Sequence, residues 1–238
     1  MYDITEVNLS YEYLKKIIFE AKKNSANVAI LGGWATFFYV NEKYRRAFGI
    51  DYLKSRDIDI FVPHKKEKLF YKIIKNFKFL PAEYNFRYKI IYDREQKRII
   101  DERIAKNKPI YNLIYIFLDI FSDKKTKLIG SWAIPILNRA KIKNVSGFPV
   151  VDIKTLVKLK CVSFFDREKI DKEFKDACDI YALVFYSGEK ITISHGLRAG
   201  LKKIAERDDL SDFVAKNVLR DEFKAPLVKM NINNLLHL

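Results

Sequence analysis

The chain has 238 residues, 49% hydrophobic and 32% charged, which fits one large globular domain or two small ones with a real core. Lys and Arg exceed Asp and Glu by 15, an excess that fits a polyanionic partner such as RNA, DNA or a nucleotide, or else a Lys-rich solvated surface. The opening Met1-Tyr2-Asp3-Ile4-Thr5-Glu6 has neither a basic nor an apolar signal region. The most apolar run, residues 110–121, is too short for a bilayer and contains Asp119, so a cytoplasmic protein without a membrane segment is expected. Cys161 and Cys178 sit among apolar residues and read as reduced core thiols. They cannot complete a four-ligand zinc set, and His64, His195 and His237 show no metal-ligand spacing.

In chain order, residues 8–24 place Leu9, Tyr13, Ile17, Ile18 and Ala21 at helical spacing. Residues 27–31 predict a short strand, Gly32-Gly33 break it, and residues 34–48 resume a helical pattern through Phe37, Phe38 and Tyr44. A strand, a diglycine turn and a helix let a backbone approach a ligand and offer amides to a phosphate. The same glycines would equally serve a tight turn with no ligand. After a loop at 49–56, residues 57–62 predict a strand closed by Pro63. Side chains alternate along a strand, so Asp57 and Asp59 share one face, and Ile58 and Ile60 the other. Two adjacent anions on an apolar strand repel each other and resist burial; a divalent cation is the simplest partner that makes the pair favourable.

Residues 65–76 predict a basic amphipathic helix with Leu69, Phe70, Ile73 and Ile74 inward. Residues 86–92 and 98–100 predict strands or a hairpin, and residues 101–108 an exposed charged stretch. Residues 111–121 form the strongest strand pattern, with Leu113, Tyr115, Phe117 and Asp119 on one face and Ile114, Ile116, Leu118 and Ile120 on the other. Asp119 is either a strand-end acid capping the next turn or a third carboxylate delivered to Asp57 and Asp59. A polar turn at 122–127 follows, then short strands at 133–137, 141–145 and 148–151, the last two joined by Ser146-Gly147. From Asp152, a suitable N-cap, the pattern turns helical to the end. The chain thus divides into domains 1–151 and 152–238. Helices are expected over 152–165, with Lys160 at the edge of the apolar stripe, and over 171–185, capped by Asp171, with Asp176 and Asp179 one turn apart. Two more are expected over 195–207 and over 211–223, the latter capped by Ser211 and stopped by Pro226.

A strand, Gly32-Gly33 and a helix, then a strand with Asp57 and Asp59, then a strand with Asp119, outline a two-metal phosphoryl-transfer site. In these features the chain resembles the nucleotidyltransferase superfamily typified by DNA polymerase beta. Gly32-Gly33-Trp34-Ala35 and Ser55-Arg56-Asp57-Ile58-Asp59-Ile60 look most like the branch that includes AbiEii-type toxins and the minimal or antibiotic nucleotidyltransferases. Leu159-Lys160, Asp166-Arg167 and Lys175-Asp176-Ala177-Cys178-Asp179-Ile180 with Leu183 are similar to that branch's helical signature. The resemblance runs over residues 28–183.

The resemblance implies an α+β fold: a nucleotidyltransferase-like mixed β-sheet flanked by helices, followed by a C-terminal helical region. It implies transfer of a nucleoside monophosphate from a nucleoside triphosphate to an acceptor hydroxyl, with Mg2+ or Mn2+ as cofactor. Asp57 and Asp59 would hold the metal that carries the triphosphate, and Asp59 and Asp119 a second one that lowers the pKa of the attacking hydroxyl. Gly32 and Gly33 amides would contact the phosphates; Lys160 would meet the triphosphate or pair with Asp176. Two positions depart from the pattern. Gly33 stands where many relatives have a phosphate-binding Ser, and Leu53 where toxin-like relatives have Arg, with Ser55 in the Thr place. Lys54, Arg56, Arg45 or Arg46 would supply the missing cation. The positive charge makes RNA, including tRNA, the first acceptor to expect, beside a small antibiotic or a protein hydroxyl. The family also implies a toxin-like role with an antitoxin-like protein partner. The competing expectations are a non-catalytic RNA- or protein-binding module on the same fold, and a structural network in which Arg56 and Lys160 neutralise the acids.

Overall fold

The computed structural model describes residues 3–124, 133–166 and 170–237, without the side chains of residues 170 and 171. Two compact units emerge: Met1–Trp34 with Lys54–Val151, and Ala35–Leu53 with Asp152–Leu238. Residues 35–53, expected in the N-terminal domain, therefore belong with the C-terminal helices.

The first unit holds the sheet. Its strands are β1 (Ala29–Ile30), β2 (Ile58–Phe61), β3 (Leu80–Pro81), β4 (Arg87–Asp93), β5 (Arg98–Ile100), β6 (Leu113–Phe121), β7 (Ile142–Val145) and β8 (Phe148–Val151). They lie in the order β3-β4-β6-β2-β1-β8-β7, with β5 beside β4. β2 runs parallel to β6 and β1 parallel to β8, and the other pairs are antiparallel, so the sheet is mixed, as expected. Ile58, Ile60, Ile114, Ile116, Leu118 and Ile120 are all buried; each contributes about 1.5–3 kcal/mol of hydrophobic stabilisation relative to exposure. Helix α1 (Ile4–Lys23) starts earlier than its apolar spacing suggests, because the Asp3 side chain accepts from the amides of Thr5 and Glu6 and caps it. It lies against β6 and α3 (Glu67–Asn76). On its buried side Ser10 Oγ accepts from Trp34 Nε1 at 3.0 Å, and Tyr11 stacks on the Trp34 ring.

Two local expectations in this unit change. Residues 133–137 are not a strand: Ile134–Leu137 form the short helix α5, with a proline in its first turn. Pro135 has no amide to give a ladder and its fixed φ suits a helix start. The charged stretch at 101–108 contains helix α4 (Glu102–Ala105), capped by Asp101, which accepts from the amides of Arg103 and Ile104. Of the turn expected at 122–127, residues 125–127 lie outside the described residues. The β7–β8 hairpin forms as anticipated. Ser146 and Gly147, at φ of +52° and +86°, give the left-handed pair that a two-residue hairpin turn needs.

The second unit is helical. It takes α2 (Gly32–Phe48) from Ala35 onward, then α6 (Ile153–Phe165), α7 (Ile170–Tyr186), α8 (His195–Glu206), α9 (Asp208–Asn217) and α10 (Ala225–His237). Residues 35–53 are bound to these helices by aromatic contacts. The Tyr44 ring meets Tyr52 and Tyr186, and Phe48 also meets Tyr186. Tyr44 Oη donates to the Val218 carbonyl at 2.7 Å and accepts from Arg220 Nε at 2.9 Å. Asp152 caps α6 through the Thr155 amide, as expected. Helix α7 begins at Ile170, so Asp171 is inside it rather than at its cap. Ser211 is likewise no cap: α9 begins at Asp208, directly after Arg207, and buries Ser211 in its interior. Pro226 does not stop a helix; it is the second residue of α10, where a missing amide costs nothing. No helix among the described residues is long and apolar enough to cross a membrane.

Candidate active site

The sheet unit gathers the expected acids. Beyond the β1–β2 pair, the Leu31 amide donates to the Asp59 carbonyl at 2.9 Å. The chain then turns into α2 at Gly32, with a φ of +60°, and a Cβ at that position would lie 1.8 Å from Asp59 Oδ2. Gly32 is therefore the gap into which the Asp59 carboxylate points. Gly33 is the second residue of the helix and is buried. β2 and β6 run parallel in the register that pairs Asp59 with Asp119. Paired residues of neighbouring strands point to the same face, about 4.8 Å apart at the backbone. Asp57 immediately precedes β2, and both it and Asp59 act on the charge of Arg87.

Arg87 is the member that no sequence motif indicated. β4 sets it directly opposite Asp119. Its Nε donates to Asp119 Oδ1 at 2.7 Å and its Nη2 to Oδ2 at 2.6 Å, a two-pronged pairing of the strong kind. Asp119 is buried. The hydrogen bonds to Asp119 raise the Arg87 pKa further above its ordinary value. Burial opposes the shift, and the charges of Asp119, Asp57 and Asp59 add to it.

Around Asp57 the bonding is looser. Arg56 Nε lies 3.5 Å from Asp57 Oδ1, beyond a good hydrogen bond, and that oxygen is buried with no hydrogen bond. Ser55 is buried beside them in sequence. Hard carboxylate oxygens, one of them orphaned, suit Mg2+ or Mn2+, so Asp57 and Asp59 fit as donors. The second expected donor set, Asp59 with Asp119, does not fit as well, because both Asp119 oxygens are committed to Arg87. Among the described residues no three His, Cys, Asp or Glu side chains are arranged to hold a metal.

No family model and no curated protein matches the chain. Solved structures similar to it include an antigenic nucleotidyltransferase-like protein from Paracoccidioides brasiliensis, 21% identical, with 86% of this chain and 93% of that one covered at a TM-score of 0.44. Another is ANT(2")-Ia in complex with adenylyl-2"-tobramycin, 13% identical, with 97% of this chain and 98% of that one covered at a TM-score of 0.41.

Lys160 and Asp176 belong to the helical unit. Lys160 Nζ stands 2.9 Å from Asp176 Oδ1 and 2.6 Å from Asp179 Oδ2. Ser163 Oγ donates to Asp176 Oδ2 at 3.0 Å, and Tyr52 Oη donates to Asp179 Oδ1 at 3.0 Å. Lys160, Asp176 and Asp179 are 7%, 2% and 1% exposed, so this set is enclosed within its own unit. Burial pulls the Lys160 pKa down, but the two carboxylates outweigh it and the net shift is upward. Of the two roles expected for Lys160, pairing with Asp176 is the one its surroundings provide. Asp179 was already visible one turn from Asp176. Tyr52 carried no signal, and Arg167 of the Asp-Arg pair lies outside the described residues.

Proposed function

We propose that the chain is a metal-dependent nucleotidyltransferase that moves a nucleoside monophosphate from a nucleoside triphosphate to an acceptor hydroxyl, with RNA, tRNA included, as the acceptor. The observation that carries this reading is the parallel register of β2 and β6, which sets Asp59 beside Asp119 with Asp57 and Gly32 adjoining. The resemblance of the Gly32-Gly33 and Asp57-Ile58-Asp59 motifs supports it. Asp57 and Asp59 hold the divalent cation, which when bound neutralises phosphate charge and polarises the reacting phosphoryl group. The start of α2 at Gly32 and Gly33 offers amides to the triphosphate, and Arg56 adds a cation beside them. Arg87 orients the Asp119 carboxylate. The acceptor oxygen bonds to the α-phosphorus, pyrophosphate leaves, and the hydroxyl proton is released to water. Lys160 and Asp176 act as a structural pair in this scheme.

The test is incubation with labelled triphosphates, Mg2+ or Mn2+ and total RNA, beside Asp57→Ala. Transfer by the native chain and its loss in the variant, by at least about 100-fold given that one electrostatic contributor is worth that much, is the expected result. The same pair, expressed in a host cell, tests the toxin-like role and the need for an antitoxin-like partner: growth arrest should require Asp57. One observation favours a second reading, a non-catalytic RNA- or protein-binding module: the Arg87 fork occupies both oxygens of Asp119. Under that reading no triphosphate binds in the presence of metal, and RNA binding is indifferent to Mg2+ and to Asp59→Asn.

A further inference from the structure

The face of β4 and β6 that carries Arg87 and Asp119 continues away from the acids in a pattern that metal and phosphate chemistry does not use. The register pairs Arg87 with Asp119, Lys89 with Phe117 and Ile91 with Tyr115, so these side chains share one face. Phe117 and Tyr115 are stacked, with ring centroids 6.4 Å apart and planes within 15°. The Arg87 guanidinium carbon lies 5.0 Å from the Phe117 centroid, and Lys89 Nζ 5.9 Å from that of Tyr115. At the Arg87 end, Tyr84 lies 5.9 Å from the guanidinium carbon and is 55% exposed.

On the other face of β6, Ile114, Ile116, Leu118 and Ile120 are all buried. Phe117 and Tyr115 are only half-buried, and the Arg87 and Lys89 side chains are 21% and 20% exposed. Alternating flat rings and cations is the composition that stacks bases and meets phosphates.

We propose that this β4–β6 face, from Asp119 to Tyr115, is the acceptor platform, and that it takes a single-stranded nucleic acid; the proposal rests on the reading of Asp57, Asp59 and Asp119 as a nucleotidyl-transfer site. Asp119 to Tyr115 spans about 13 Å of strand, room for about two or three stacked bases. The far end is rigid, because Tyr115 packs on the buried cluster of Ile91, Ile100, Ala105 and Leu113. Lys89 is paired with Glu102 at 3.0 Å, but Glu102 is 52% exposed. An exposed pair of this kind is weak, so a phosphate oxygen can take the place of the carboxylate. A polycationic small molecule finds no such welcome. Of the acids bordering the far end, Asp93 is enclosed and matched by Lys108, and the chain carries a net +15. A duplex keeps its bases stacked internally and cannot lay them on these rings.

Fluorescence anisotropy of a labelled single-stranded RNA of about 10 nucleotides, in EDTA, tests the platform without any catalysis. Phe117→Leu and Tyr115→Leu should each weaken binding by roughly 5-fold to 100-fold, the range seen when a stacking ring is removed, and Phe117→Tyr should retain it. Lys89→Gln should lower the slope of log affinity on log salt by about 0.7, one phosphate contact on a single strand. Circular dichroism of each variant establishes that it is folded. Folded variants that bind like the wild type overturn the proposal, as does equal affinity for duplex RNA or binding of a polycationic aminosugar in place of RNA. Mg2+-dependent triphosphate binding, measured separately on the wild type, reports on the transfer site alone. Its failure sinks that reading without altering the anisotropy result.

Discussion

Gly32 shows how much one missing methyl group can decide. Its backbone is left-handed, and the space where a Cβ would sit is filled by the Asp59 carboxylate. Alanine there bears about 1–2 kcal/mol for the backbone alone, and it must also push Asp59 away from its place beside Asp119. Gly32→Ala is expected to lower the unfolding free energy by at least about 1–2 kcal/mol in urea titration and to lose the proposed nucleotidyl transfer by more than that modest destabilisation explains. A variant with native activity would mean that Asp59 needs no such gap. The strands that carry Asp59 and Asp119 were legible from their alternation, and Asp57 directly precedes the first of them. Arg87 was not. It reaches Asp119 only through the register of β4 on β6, two strands separated in the chain by β5 and α4, and no local pattern encodes a pairing at that distance.

The helices α6 and α7 are joined by charge inside an apolar environment. Lys160 faces two buried carboxylates, Asp176 and Asp179, and the second is also hydrogen-bonded by Tyr52. Removing Lys160 takes away the positive charge that these two buried carboxylates share. Lys160→Met should therefore lower stability by about 3–5 kcal/mol, read as a fall in the urea midpoint with the slope unchanged. A loss below about 1 kcal/mol would mean that the pair behaves like a surface ion pair despite its burial. Long periodic elements such as α1, α6 and β6 could be read from their spacing, since their stripes are wide enough to fix the period. The misses fall where a short segment has more than one local solution. Residues 133–137 are apolar enough for a strand, but Pro135 makes a helical turn. Ser211 and Pro226 carry sound cap and stop chemistry, yet α9 and α10 start elsewhere because Asp208 and Ala225 open them. The grouping of residues 35–53 with the C-terminal helices rests on Tyr44, Phe48 and Tyr52, whose partners Tyr186, Val218 and Asp179 are more than a hundred residues away in sequence.

At the scale of the whole chain, the excess of 15 positive charges sets the conditions under which the fold survives. Several carboxylates are held below their ordinary pKa. Asp93 is lowered mainly by its hydrogen bond from Lys108, Glu102 by Lys89 and Asp209 by Arg207. For Glu173, burial pushes upward, but Lys203 and Arg207 outweigh it and the net shift is downward. A carboxylate whose folded pKa lies below its unfolded value gives stability that is present above the unfolded pKa and lost as pH falls through the folded one. All four act in the same direction. Their protonation also removes negative charge from a chain already strongly positive, so self-repulsion grows as the ion pairs fail. The midpoint of thermal unfolding should stay nearly level between about pH 8 and pH 5 and fall steeply below about pH 4, where ordinary carboxylates titrate. Raising the salt concentration near pH 3 should recover part of the loss by screening the repulsion, but not the part due to protonated acids. A midpoint unchanged down to about pH 3 would mean that these pairs contribute nothing to the fold, and a full recovery in salt would assign the whole loss to net charge.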